Sequence, residues 1–301
     1  MASFSVKVIR SVFGMAEHVA PRLVGRAAFE LFCRTPGRKA LSEGEKRAIA
    51  RAAPFMEAAR HHRLMSGAGC VVVHEFRPEP GREPAGTVLV IHGWRSRTEH
   101  MKTVIEAYRA AGYRVLSLDL PGHGASQGRR LTMVSAVDAA HTVGEWFGPF
   151  AAVVGHSFGG AVAANAVSGS IRRIPPLAAG RLVLIAAPSS LPAIFDNFGN
   201  ALNLGPRSRA ALARQVERIA GRPLEEFTGS LQLAGTQVPA LIIHAPDDRE
   251  VSPDHAELYA TAGAHVRLHW TPGLGHRRIL ADRNVLEEAL GFVSGKPLKV
   301  H

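Results

Sequence analysis

Seven short runs set the architecture of this 301-residue chain. They are residues 70–76 (CVVVHEF), 87–91 (TVLVI), 113–118 (YRVLSL), 151–154 (AAVV), 182–185 (LVLI), 240–243 (ALII) and 266–270 (VRLHW). Several are apolar without alternation, as strands are when both faces of a parallel sheet are covered. Segments with helical spacing lie between or after them, at 98–111, 134–147, 161–167, 254–262 and 278–293. That alternation predicts an α/β fold built on a doubly wound, mostly parallel sheet. A hydrophobic fraction of 46% is ample for its core.

Two regions stand outside the alternation. Residues 1–64 read as an N-terminal helical extension. Val6, Ile9, Phe13, Ala16 and Val19 recur at three-to-four spacing, as do Leu23, Ala27 and Leu31, with a break near Pro21. Pro36-Gly37 then interrupts the chain, and Ser42 with Glu45 forms a capping box for helical structure to about His62, kinked or split at Pro54. His61-His62 reads as solvent-exposed, since no third metal ligand lies nearby. The second region is the interval of about fifty residues from Pro188 to Pro239, too long for a simple crossover. Its Phe195, Phe198 and Leu202, and the charged stretch Arg207 to Ile219, suit an inserted helical cap. The expected division is therefore extension 1–64, core 65–190, cap insertion 191–238 and core 239–301. A cap over the strand C-termini would select the substrate, and its Phe and Leu content favours one with an apolar moiety.

The net charge of +11 raises the question of an acidic partner. Residues 1–64 hold twelve Lys/Arg against five Glu, spaced by helical turns and without aromatic interleaving. No helix-turn-helix, zinc-finger or RNP signature occurs, so nucleic acid is not the expected partner. The apolar stripes of residues 1–33 suit either the main domain or an acidic membrane surface. Cys33 and Cys70 are far apart and make neither a disulfide framework nor a zinc site. No run approaches the roughly 18 apolar residues of a membrane span. Charges interrupt the N-terminus before a signal-peptide core can form. These features fit a cytoplasmic protein, with membrane-peripheral contact open; nothing in them specifies an oligomeric state.

The residues with most chemical content are Gly155-His156-Ser157-Phe158-Gly159-Gly160. A strand stops at Gly155, the chain turns through Ser157, and small residues restart it as a helix. Strand, G-x-S-x-G, helix is the context of a nucleophile elbow, in which a strained serine stands clear of the sheet and flanking glycines permit close backbone approach. Three further motifs follow strands: His92-Gly93-Trp94, the segment Asp119-Leu120-Pro121-Gly122-His123-Gly124-Ala125-Ser126, and Asp248 in Asp247-Asp248-Arg249-Glu250-Val251 with His276 in Gly273-Leu274-Gly275-His276. No G-x-G-x-x-G follows the first strand, which disfavours a dinucleotide cofactor, and no His/Asp/Glu set has metal-ligand spacing.

With these four motifs in this order, residues 69–293 resemble the α/β-hydrolase superfamily, especially its esterase, monoacylglycerol-lipase-like and aminopeptidase-like branch. The resemblance implies Ser157 as nucleophile, His276 as base and Asp248 as orienting acid, in the order Ser…Asp…His. Asp248 fits the family's Asp-x-x-Val spacing to Val251; Asp247, and more remotely Asp196, remain alternatives. It also implies an oxyanion hole from the backbone N–H groups of Trp94 and Phe158, with His92, Gly93, Gly155, His156 and Gly159 in support, and no cofactor or metal. The implied activity is a serine esterase acting through an acyl-enzyme. Cleavage of a C–C bond, lactone, thioester or amide on the same triad, and non-catalytic ligand binding on the same fold, are the alternatives.

Overall fold

Runs such as Thr87–Ile91 have no polar face to leave in water, so they are driven to the middle of a sheet. The computed structural model describes residues 4–35, 43–79, 81 and 83–295. Its first helices are α1 (Phe4–Ala16), α2 (Pro21–Cys33) and α3 (Glu43–Glu57), followed by strands β1 (Arg60–Ser66), β2 (Gly69–Phe76) and β3 (Thr87–Ile91). Next come α4 (Lys102–Ala110), β4 (Arg114–Asp119), α5 (Met133–Phe147), β5 (Ala152–His156), α6 (Phe158–Ser168) and β6 (Leu182–Ile185). Helices α7 (Leu191–Leu202), α8 (Pro206–Ala220) and α9 (Gly229–Ala234) precede β7 (Ala240–His244). The chain ends with α10 (Asp254–Ala260), β8 (Val266–Trp270), α11 (Gly275–Arg278) and α12 (Arg283–Ser294).

The eight strands form one sheet in the order β1-β2-β4-β3-β5-β6-β7-β8. β2 pairs antiparallel with β1 and β4, and every other pairing is parallel. One face carries Val88, Val90, Val154, Val183 and Leu241 into a core shared with Ile105 and Tyr108 of α4 and Phe292 of α12. Helix α6 packs on β3, β5 and β6. From β3 the chain crosses to β4 on one side, then returns to β5 on the other. The crevice between β3 and β5 is therefore the topological switch point, where open α/β sheets place their sites.

The chain divides into two units, residues 1–34 with 190–228 and residues 35–189 with 229–301. The helical extension expected over 1–64 is thus split. Helices α1 and α2 associate with α7 and α8, whereas β1 joins the sheet. Helix α3 ends at Glu57, short of His62, and runs through Pro54 without a break. Ser42 of the expected capping box, and Pro36-Gly37, lie outside the described residues. His61 and His62 lie on β1 beside β2, His61 Nδ1 2.7 Å from His74 Nδ1 and His62 Nε2 2.7 Å from Glu75 Oε2. The helix expected over 278–293 is also two pieces: Asp282 accepts a hydrogen bond from Val285 N–H and starts α12 afresh.

In the helical unit, α2 and α8 approach closely because Gly25 has no side chain; a Cβ there would collide with Ser208 O and Ala211 Cβ. The Glu17 carboxylate, at the end of α1, accepts from Arg207 N–H (2.8 Å), Ser208 N–H (3.1 Å) and the Ser208 hydroxyl. It caps α8 from a distant part of the chain and satisfies donors the helix leaves unpaired. Burial raises the Glu17 carboxyl, but these hydrogen bonds outweigh it and hold it below the ordinary value. Glu17→Ala is expected to cost about 1–3 kcal/mol locally. Faster hydrogen exchange in the first turn of α8, with the sheet unchanged, is the readout.

Candidate active site

Three glycines shape the elbow after β5. A Cβ on Gly155 would collide with the Gly159 carbonyl and Gly160 Cα, and one on Gly159 with the carbonyls of Ile91 and His92. One on Gly160 would strike Ala187 Cβ. Helix α6 therefore lies directly against β5 and the end of β3. Ser157, its N-cap, is forced to φ 53°, ψ −128°, a conformation costing a non-glycine residue about 1–3 kcal/mol. At the N-terminus of α6, the Phe158 N–H has no intrahelical acceptor.

The loop after β3 is held beside the serine. Gly93 sits so close that a Cβ there would be 3.0 Å from Ser157 Cβ. The Trp94 ring meets the Phe158 ring edge-on, centroids 5.7 Å apart. His92 is buried, with Nδ1–H donating to Gly93 O at 2.8 Å and Nε2 accepting from Leu120 N–H at 3.1 Å. His123 Nε2 accepts from Arg95 N–H at 3.1 Å, and its ring lies 5.5 Å from Trp94 and from His92. The residue under this loop that sequence reasoning treated only as part of a motif is Asp119. Its carboxylate accepts from Thr98 N–H and hydroxyl, Ala125 N–H and His74 Nε2–H. Through His123 and Ala125 the Pro121–Ser126 segment thus braces this loop.

His276 stands between Ser157 and Asp248. Its Nδ1 lies 2.7 Å from Asp248 Oδ2 and its Nε2 3.0 Å from Ser157 Oγ. The carboxylate accepts the Nδ1–H, leaving the Nε2 lone pair to accept the serine proton. His276 lies in the single turn α11. Asp248 is buried, and its Oδ1 accepts from Glu250 and Val251 N–H at 2.8 and 3.0 Å. Burial raises its carboxyl, but His276 and these N–H groups outweigh that and lower it. Asp247 is exposed and accepts instead from Gly273 N–H at 2.8 Å, pinning the turn before His276. Asp196 pairs with Arg209 at 3.4 Å within the helical unit.

Two more histidines fix this geometry. His156 donates Nε2–H to the His276 carbonyl at 2.9 Å, and the two rings lie 4.8 Å apart. His244, which sequence reasoning missed, donates to Val251 O at 3.1 Å, with Nε2 3.7 Å from Asp248 Oδ2. It ends a buried strand, and only its proximity to Asp248 in space distinguishes it from an ordinary core histidine. Among the described residues, no group of three His, Cys, Asp or Glu is arranged to hold a metal ion. None of the described helices is long and apolar enough to cross a membrane.

A model of the alpha/beta hydrolase family matches residues 88–288, well over half of the chain. No curated protein matches it. Among solved structures, Est1E from Butyrivibrio proteoclasticus with ferulic acid bound is similar at 19% identity and TM-score 0.58, over 78% of this chain and 96% of that one. Naproxen esterase (carboxylesterase NP) from Bacillus subtilis aligns at 15% identity and TM-score 0.58, over 84% and 99%. A membrane phospholipase A described as a bacterial virulence factor aligns at 17% identity and TM-score 0.57, over 83% and 90%. At these identities the likeness establishes the fold.

The buried imidazoles carry a pH signature. Burial pushes His92 down to about 3, and His156 down to about 4, from the ordinary 6.5. Each binds a proton on unfolding at any pH between its folded value and 6.5, so stability falls as pH drops through that window. Denaturant titrations should show stability declining by up to about 1.4 kcal/mol per pH unit for each such histidine below pH ~6.5. His156→Asn should flatten the slope by close to one proton; an unchanged slope would mean that His156 is not held neutral.

Proposed function

The chain belongs to the alpha/beta hydrolase family, and on that premise we propose that it is a serine hydrolase of carboxylic esters. The observation that supports this reading is the hydrogen-bonded chain from Ser157 through His276 to Asp248, at 3.0 and 2.7 Å. A serine hydroxyl is a poor nucleophile until a base removes its proton. As Ser157 Oγ bonds to the ester carbonyl carbon, His276 Nε2 takes the hydroxyl proton, and Asp248 stabilises the imidazolium without being protonated itself. The carbonyl oxygen becomes an oxyanion beside the N–H groups of Trp94 and Phe158, where the α6 N-terminus favours negative charge. Collapse breaks the bond to the alkoxy oxygen, which takes the proton from His276 and leaves as the alcohol. Water then attacks the acyl-enzyme by the same route, releasing the acid and restoring Ser157. The half-buried Trp94 and Phe158 rings beside the serine favour an apolar group on the substrate.

A fluorophosphonate probe should label Ser157, and Ser157→Ala should abolish both labelling and hydrolysis of p-nitrophenyl esters. Asp248→Asn should lower kcat by roughly 10⁴-fold, while Asp247→Asn should change it by no more than about threefold. Folded protein that is neither labelled nor active would favour a ligand-binding role. Activity confined to thioesters or amides would move the assignment to another scissile bond.

A further inference from the structure

The row Leu23, Ala27 and Leu31 of α2, which its spacing marks as a packing stripe, faces solvent. The rows that pack are Val24 and Ala28, and Gly25, Phe29 and Cys33. Leu23 is 69% exposed and Leu31 37%; nearby, Val12 is 48%, Met15 69% and Val19 87% exposed. Among the described residues, the remaining exposed large apolar side chains are Met65, Trp146 and Leu231, so most of them lie within twenty residues of α1–α2. A concentration of this kind marks an interaction surface rather than ordinary surface scatter.

Residues four apart on a helix form one row, so Arg22 and Arg26 stand in the row beside Leu23 and Ala27. Both are exposed, and Glu30 completes their row. Arg10, midway along α1, and Arg34, at the C-terminal end of α2, are exposed as well. Apolar and arginine rows side by side are the pattern of a helix lying in a bilayer interface, with leucines among acyl chains and guanidinium groups at anionic headgroups. A second copy of the same face would bring the arginine rows of two chains together and is disfavoured by their repulsion.

We propose that the outer face of α1–α2 docks this protein on an anionic membrane surface. The contact involves neither Ser157 nor its partners, so it stands or falls separately from the hydrolase reading. The test is cosedimentation of the full chain with vesicles of phosphatidylcholine alone and of phosphatidylcholine with phosphatidylglycerol, at low and high salt. The protein should pellet with the anionic vesicles and be released by salt. Arg22→Gln with Arg26→Gln should weaken partitioning by roughly fivefold for each arginine removed. Met15→Ser with Leu23→Ser and Leu31→Ser should leave the protein in the supernatant. Far-UV dichroism and hydrolysis of a water-soluble ester serve as folding controls, and Ser157→Ala should bind like the parent chain. Failure of the parent to pellet with anionic vesicles, or variants that pellet equally, would overturn the proposal. So would a lipid-free dimer that the serine substitutions convert to monomer.

Discussion

Helix α6 runs against β5 and the end of β3 at a distance that only glycine tolerates, and the site depends on that contact. Gly155, Gly159 and Gly160 remove the atoms that would hold helix and strands apart. The chain then has one residue in which to reverse from strand to helix, and Ser157 takes the strained positive-φ conformation that results. The same closeness puts Gly93 against Ser157 and sets the Trp94 ring against that of Phe158, so the loop after β3 lies beside the serine. The local backbone penalty is offset by the packing of two secondary elements, which a single side chain cannot relax.

What the sequence discloses follows how local each cause is. The buried strands are legible because unbroken apolar runs have one good solution in an α/β chain. Ser157, Asp248 and His276 are legible because each follows a strand, and parallel strands deliver their C-terminal ends to one edge. Strand β1 is not, because an edge strand with only Leu64 buried has no apolar pattern and its Arg and His residues read as a solvated helix. The packing face of α2 is misread by one position. Gly25 and Cys33, which a hydrophobic count passes over, lie on the buried side, while leucines lie outside. The roles of Asp119, His74 and His244 depend on neighbours brought together by the sheet, and no sequence spacing encodes them.

The histidines around the site divide labour by environment. His92, His123, His156 and His244 are all pushed down by burial and act as neutral donors and acceptors that fix backbone. His276 has a carboxylate at one nitrogen and a hydroxyl at the other. The two imidazoles next to the proposed base, His156 and His244, are thus neutral and add no positive charge that would compete with its protonation. The hydrogen bond from His156 to the His276 carbonyl also ties the position of His276 to the residue next to the serine.

The cap that Glu17 places on α8 has a consequence for how the chain is made. Helix α2 ends at Cys33 and its packing partner begins at Pro206. At the usual 5–20 residues per second of synthesis, roughly 10–35 s pass before α8 exists. During that interval Val24, Ala28 and Phe29 have no native helix to cover them. Until α8 is made, helix α2 is apolar on every side but the row of Arg22, Arg26 and Glu30, a surface open to premature association.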